Sequence, residues 1–331
     1  MPVRSARVHS LAKINLDLRV LHRHPDGFHE LRTVFQTISL ADTLEIEYEP
    51  ARRTVVSIQD PLAIPDNLVL RAAAAVLDAL KTHGRVHFRL QKKIPMGGGL
   101  GGGSSNAAAV LLALPVLAGG RRLAFEQITA IGAGLGSDVP FFLTGGTALG
   151  LGRGTEVYAL PEIRPEPILL VAPRLHVATG AAYQALRRGL TDADSSSKIN
   201  GFQAFVRSLA GERSARAAGS FSANDFEAVV FRQYPQLQII ERKLSKLGAS
   251  VRMTGSGSSI FGVFGSRKER DRAAAVLKGD RVFGKYLVMP GTLVSRRSYQ
   301  QLWRRQLSQH IRQDRSRADQ SLWPPQSRYA R

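Results

Sequence analysis

Hydrophobic and polar residues alternate without a break between positions 12 and 20, with Ala12, Ile14, Leu16, Leu18 and Val20 set against Lys13, Asn15, Asp17 and Arg19. A period of two is the pattern of a β-strand, and it puts Lys13 and Asn15 on one face, opposite the face that meets the core. On pattern alone that polar face reads equally as solvent-facing. A loop over 22–29 follows, with Pro25, Asp26 and Gly27 as turn residues. Strands are predicted over 31–40, 43–49 and 54–59, and in the second of them Leu44, Ile46 and Tyr48 alternate with Glu45, Glu47 and Glu49. Strand following strand marks an antiparallel start rather than a βαβ start.

An alanine-rich run behind Asp66 and Asn67 predicts a helix to about Lys81, followed by a strand over 86–94. A glycine-dense segment, 95–105, leads into a helix that starts at Ser104 or Ser105 and reaches Leu114. A further helix over 123–133 ends at Gly134 and Gly136, and strands over 146–151 and 155–160 close the first unit. Three prolines within 161–167 mark a linker. Beyond it come a strand over 168–172, a helix over 179–188, a mobile polar stretch over 191–198, helices over 199–209 and 224–247, strands over 250–253 and 259–264, a helix over 268–277 and a strand over 282–289. The fold class is α+β. A length of 331 residues suits two domains better than one core, and we divide the chain into 1–162, 163–294 and a tail over 295–331.

Composition narrows the chemistry. With no cysteine, disulfides, thiolate metal sites and a cysteine nucleophile are excluded. The longest apolar run, 107–118, is broken by Pro115 and is too short to span a bilayer. The first ten residues carry Arg4, Arg7 and His9 and do not read as a secretory signal, so the expected compartment is the cytoplasm. A net charge of +20 favours anionic partners, whether nucleotides, phosphorylated metabolites or nucleic acid. The tail over 295–331 holds nine arginines against Asp314 and Asp319, a net of +7. Such a composition offers little to a core, so the tail is expected to be dispensable. Trp303 and Trp323 are the exception, giving it the means to dock on the body or on a membrane surface.

Three segments carry candidate chemistry. In Lys92-Lys93-Ile94-Pro95-Met96-Gly97-Gly98-Gly99-Leu100-Gly101-Gly102-Gly103-Ser104-Ser105-Asn106, six glycines lie between a strand and a helix start. Backbone N–H groups turned inward there, with the positive end of the helix behind them, suit a polyphosphate; the plain alternative is a flexible linker. The loop lacks the GK[ST] ending of a Walker A motif. Gly136-Ser137-Asp138-Val139-Pro140 places an acidic side chain at a helix start, where it serves either as a proton acceptor paired with a lysine or as a simple N-cap. Thr254-Gly255-Ser256-Gly257-Ser258-Ser259 is a second glycine turn, either a ligand loop or a tight β-connection. No His, Asp and Glu cluster has metal-ligand spacing, so no metal ligand is assigned.

Together, Ala12-Lys13-Ile14-Asn15-Leu16, Asp26-Gly27-Phe28-His29-Glu30-Leu31, the 95–106 glycine loop, 137–142 and 254–258 stand in the order found in the GHMP kinase superfamily. The chain resembles most narrowly the branch that phosphorylates diphosphocytidyl methylerythritol, over roughly 11–290. The resemblance implies a ribosomal-protein-like first domain, a ferredoxin-like second domain, and ATP with Mg²⁺ on the loop formed by Pro95, Met96, Gly97, Gly98, Gly99, Leu100, Gly101, Gly102, Gly103, Ser104 and Ser105. It further implies Asp138 as base, Lys13 as its orienting cation, and a substrate site of Asn15, Phe28, His29, Tyr183, Gly255, Ser256 and Gly257. The implied acceptor is the 2-hydroxyl of the cytidyl substrate, with no obligatory nucleic acid partner. Phe28 stands where the family has tyrosine, and the arginine-rich end lies outside the family pattern. Two other readings are a homoserine or mevalonate type of kinase and a nucleic-acid-binding protein using the +20 charge.

Overall fold

The computed structural model of the chain describes residues 2–24, 27, 29–186, 192–311 and 323–329. The first domain is built on two long strands, β1 (Arg4–Arg23) and β2 (His29–Pro50), paired antiparallel along almost their whole length. One half of β2 also pairs with β4 (Gly84–Gln91) and the other with β5 (Thr147–Gly152); β3 (Val55–Gln59) lies parallel to β4, and β6 (Glu156–Ala159) edges β5. The strands expected over 31–40 and 43–49 are thus one strand. The register between β1 and β2 shifts at Leu11 and Lys13, opposite the point where the hydrophobic alternation of β2 lapses, and residues on both of its faces are buried there.

Four helices accompany this sheet: α1 (Leu68–Ala79), α2 (Gly102–Ala118), α3 (Phe125–Leu135) and α4 (Val139–Thr144). Asn67 caps α1 by accepting from the Val69 amide at 3.1 Å. Helix α2 starts two residues earlier than expected and runs through Pro115; it is apolar on every side and buried nearly throughout. A helix with no polar face belongs inside a protein, so α2 is the pillar of this core, and its partly exposed first turn, Gly102 to Ser104, brings the glycine loop to the domain surface.

The second domain holds β7 (Pro167–Ala172), α5 (Thr179–Leu186), α6 (Asp192–Glu212), α7 (Ala215–Ala218), α8 (Phe226–Gln233), α9 (Pro235–Lys246), β8 (Ser250–Met253), β9 (Ile260–Val263), α10 (Arg267–Gly279) and β10 (Leu287–Thr292). Its antiparallel sheet has the order β10-β7-β9-β8, which is the ferredoxin-like βαββαβ arrangement with extra helices after the first strand. From Asp192 onward the stretch expected to be mobile belongs to α6; Thr191 and the end of the helix expected over 179–188 lie outside the described residues. The helix expected over 224–247 is two helices, because Pro235 cannot continue the first and instead opens the second at its N1 position. The last strand starts at Leu287, not 282, after a turn in which Asp280 accepts from the Val282 amide. The far end of β1 joins the domains: Leu18 and Val20 belong to the second core, and Leu18 exchanges backbone hydrogen bonds with Ala223 and Asp225.

After β10 the chain returns to the first domain as α11 (Arg296–Gln306), contrary to the expectation that the tail contributes little to a core. Tyr299, Trp303 and Leu307 follow one another at i, i+4 and i+8, so the apolar residues form one stripe although arginines surround them, and all three are buried in the first core. Among the described residues no helix is long and apolar enough to cross a membrane.

Candidate active site

A cleft of about 690 Å³ opens where the two domains meet, lined from the first by Lys13, Asn15, His29, Thr33, Gly99, Ser104 and Asp138 and from the second by Thr179, Tyr183, Phe226, Gly255 and Ser256. Lys13 and Asn15 sit on the polar face of β1, and that face is the floor of the cleft, not a solvent surface. The Lys13 side chain is 4% exposed and its Nζ stands 3.4 Å from Asp138 Oδ2. The same ammonium donates to Asn15 Oδ1 at 2.8 Å and lies 5.4 Å from the centre of the Phe35 ring. Asn15 in turn donates to Thr33 Oγ1 at 2.8 Å, and Thr33 donates to the Asp17 carbonyl at 2.7 Å. The amide of Asn15 is therefore held at both ends by protein, and its geometry is that of a spacer setting the lysine. Asp138 occupies the N-cap position of α4, yet its side chain makes no capping hydrogen bond. The carboxylate faces Lys13 and the cleft instead.

The glycine loop is pinned by its carbonyl groups. Lys13 N–H donates to Leu100 O at 3.1 Å and Ser259 N–H to Gly98 O at 3.3 Å, while Thr254 Oγ1 lies 3.2 Å from Gly99 O. Among the described residues no hydrogen bond is donated by the amides from Gly97 to Ser104, so the loop keeps its donors for a guest. Gly97, Gly99 and Gly101 have φ of +67°, +74° and +67°, the left-handed region where only glycine is at ease. The loop entrance is fixed by Asp42, which accepts from the amides of Lys93 and Ile94 at 2.7 and 2.8 Å and pairs with the Lys92 ammonium. Gly99 and Ser104 line the cleft. The Leu100 side chain is buried in the core and the Ser105 hydroxyl donates to Leu11 O at 2.6 Å, so these two side chains anchor the loop. Met96 is exposed at the rim.

The second glycine turn meets the first backbone to backbone. A Cβ on Gly99 would lie 2.2 Å from Thr254 O, and one on Gly255 would lie 3.1 Å from the Gly99 Cα. Thr254 Oγ1 accepts from the Asn15 amide at 3.1 Å, and Ser256 Oγ lies 3.0 Å from Thr179 Oγ1. Gly255 and Ser256 line the cleft; Gly257 does not. At the far end His29 stacks on Tyr183, ring centres 4.9 Å apart and 23° from parallel, and Tyr183 meets Phe226 edge-on at 4.9 Å. Burial, with a contribution from the Asp138 charge, pushes the Tyr183 hydroxyl up to about 12. Phe28 lies outside the described residues. The pattern reading missed Thr33, Thr179 and Phe226: none belongs to a motif, and only the tertiary fold brings them to the cleft.

A ferredoxin-like domain set against a glycine-looped α+β domain is the two-domain architecture of the GHMP kinases. The GHMP kinases N terminal domain family matches residues 67–146 and the GHMP kinases C terminal family residues 204–280. The chain is 51% identical over 331 residues to a 4-diphosphocytidyl-2-C-methyl-D-erythritol kinase of Solibacter usitatus, covering 98% of both. A crystal structure of 4-(cytidine 5'-diphospho)-2C-methyl-D-erythritol kinase matches with a TM-score of 0.69 at 35% identity, over 87% of this chain and 98% of that one. A homoserine kinase from Cytophaga hutchinsonii also matches at 0.69, but at 18% identity over 88% and 95%, which is a likeness of fold alone. The chain belongs to the 4-diphosphocytidyl-2-C-methyl-D-erythritol kinase family, whose co-substrate is ATP. The Solibacter usitatus relative matches over nearly the whole chain, whereas a relative from Gloeobacter violaceus, 36% identical, covers 84% of this chain and 92% of its own, so part of this chain has no counterpart in it.

Proposed function

We propose that the chain transfers the γ-phosphoryl group of ATP to the 2-hydroxyl of 4-diphosphocytidyl-2-C-methyl-D-erythritol, giving the 2-phosphate and ADP. The observation that carries this reading is the Lys13–Asp138 pair, 3.4 Å apart, facing a loop whose amides are unspent. Phosphoryl transfer asks a protein mainly for position and charge. The polyphosphate lies along the loop from Gly97 to Ser104 and the start of α2. Asp138 Oδ takes the proton of the attacking hydroxyl, and Lys13, nearly dry and fixed by Asn15, holds that carboxylate and offsets the negative charge that grows during transfer. Mg²⁺ bound with the nucleotide would neutralise phosphate charge, and Ser104 and Asp138, which line the cleft, are the side chains that could reach it.

The cytidyl end occupies the aromatic corner of His29 and Tyr183, with Ser256 and Thr179 offering hydroxyls on the second-domain side. Both substrates are water-soluble, the compartment is the cytoplasm, and the reaction requires no nucleic acid. An ADP-release assay comparing the cytidyl substrate with homoserine and mevalonate tests the reading. Turnover on the first alone is expected; absent turnover on it, or equal turnover on all three, overturns it.

A further inference from the structure

Helix α4 spans only six residues, far too few to hold its shape unaided, and Asp138 stands at its head. The last carbonyl groups of any helix lack partners within it. Here two of them are satisfied from the segment after 295: Tyr299 Oη donates to Phe142 O at 2.5 Å, and Trp323 Nε1 donates to Leu143 O at 2.7 Å. The Tyr299 ring also covers Gly145, the C-cap of α4, so closely that no side chain fits there. The segment is itself fastened down: Ser327 Oγ donates to Val116 O at 2.7 Å, and Arg4 lies 3.8 Å over the Tyr329 ring.

Helix α4 passes this restraint directly to the cleft. The Phe142 ring, on the residue whose carbonyl Tyr299 holds, lies against Gly101 of the glycine loop, where an added Cβ would be 2.9 Å from it. The Phe141 ring packs on Phe35 at 5.0 Å, and Phe35 lies beneath the Lys13 ammonium. We propose that the C-terminal segment is a brace for α4, and that Tyr299 and Trp323 are positioning residues that set Asp138 against Lys13 and the glycine loop. The proposal rests on the reading of Asp138 as the base.

The test is the double variant Tyr299→Phe, Trp323→Phe in the full chain, which keeps an aromatic ring at each position and removes both donors. The single-turnover rate is expected to fall about tenfold, with KM for ATP and for the cytidyl substrate within about threefold. Amide exchange over 139–145 is expected to quicken at least tenfold while α2 and the first sheet stay protected. A rate within twofold of the unaltered protein, even with a lower melting temperature, overturns the proposal and leaves the segment a contributor to stability only. Should the double variant not fold, Trp323→Phe alone, a change at the half-buried edge, is judged by the same criteria at about threefold in rate. The two readings fail differently: a fully active Asp138→Asn removes the base assignment, whereas an inactive Asp138→Asn beside fully active brace variants removes the brace alone.

Discussion

Lys13 Nζ stands 3.4 Å from Asp138 Oδ2, one residue on the floor strand and the other at the head of a short helix far along the chain. In the proposed mechanism both groups act on charge that develops only during transfer, so removing either should lower kcat and not nucleotide affinity. Asp138→Asn and Lys13→Ala are each expected to reduce kcat by about 10² or more, and the double variant by much less than the product. ATP binding measured by titration should change little. A single variant that retained near-normal kcat with chemistry rate-limiting would remove that residue from the mechanism.

Gly99 and Thr254 touch through their backbones, and φ at Gly99 is +74°. Gly99→Ala has to push the two glycine loops apart and strain the backbone as well, so KM for ATP should rise at least tenfold and the melting temperature should fall. Gly103→Ala is the control, because a Cβ there meets only Leu68, at 3.9 Å. Equal behaviour of the two variants would show that the loops do not need to touch.

Much of this site could be read before the fold was in view, for reasons that differ residue by residue. The glycines and Asp138 announce themselves because few sequences need that backbone freedom or a carboxylate beside Pro140. The alternation puts Lys13 and Asn15 on one strand face, but the burial of that face depends on contacts such as that of Asn15 with Thr254, 239 residues further on, and no local pattern carries that contact. Strand β2 reads as two strands because its hydrophobic alternation lapses around Ala41 and Asp42, and only pairing with β1 on one side and with β4 and β5 on the other makes it continuous. The role of α11 was concealed by composition: nine arginines outweigh the i, i+4, i+8 stripe of Tyr299, Trp303 and Leu307 when residues are averaged instead of placed on a helix.

Asp17 gives the fold a pH dependence away from the chemistry. It accepts from Arg19 at 2.9 Å and from the Ala223 amide at 2.8 Å, yet burial outweighs both and pushes its carboxyl up to about 6, from 3.8. The folded chain therefore binds this proton more tightly than the unfolded chain. The stability gained is complete below about pH 4 and is lost as pH rises through 6, on the order of 3 kcal/mol in all. Denaturant melts of the unaltered protein and of Asp17→Asn between pH 4 and 7 should show the former losing ground to the latter as pH rises. A constant difference would mean that Asp17 does not titrate in this range.

The last expectation concerns the cytosine. A base clasped between two rings does not fit between His29 and Tyr183, because those rings already stack on each other at 4.9 Å. A base joining them lies on an outer face of the pair, and Tyr183 supplies the backing through its edge contact with Phe226. Stacking of this kind contributes about 1–3 kcal/mol per base and is blind to base identity, so cytosine must be read by hydrogen bonds along its edge, for which His29 and neighbouring backbone groups are the candidates. Tyr183→Ala should raise KM for the cytidyl substrate about tenfold and leave KM for ATP unchanged. It should also lower the melting temperature, since Tyr183 packs on the second core. Tyr183→Phe keeps the ring and loses only a hydroxyl that stays protonated to about pH 12, so both quantities should remain near normal. His29→Ala should weaken discrimination between cytidine and uridine forms of the substrate more than it weakens binding of either. If Tyr183→Ala lowered the melting temperature without moving KM, the ring would be a packing element and the base would rest elsewhere in the cleft.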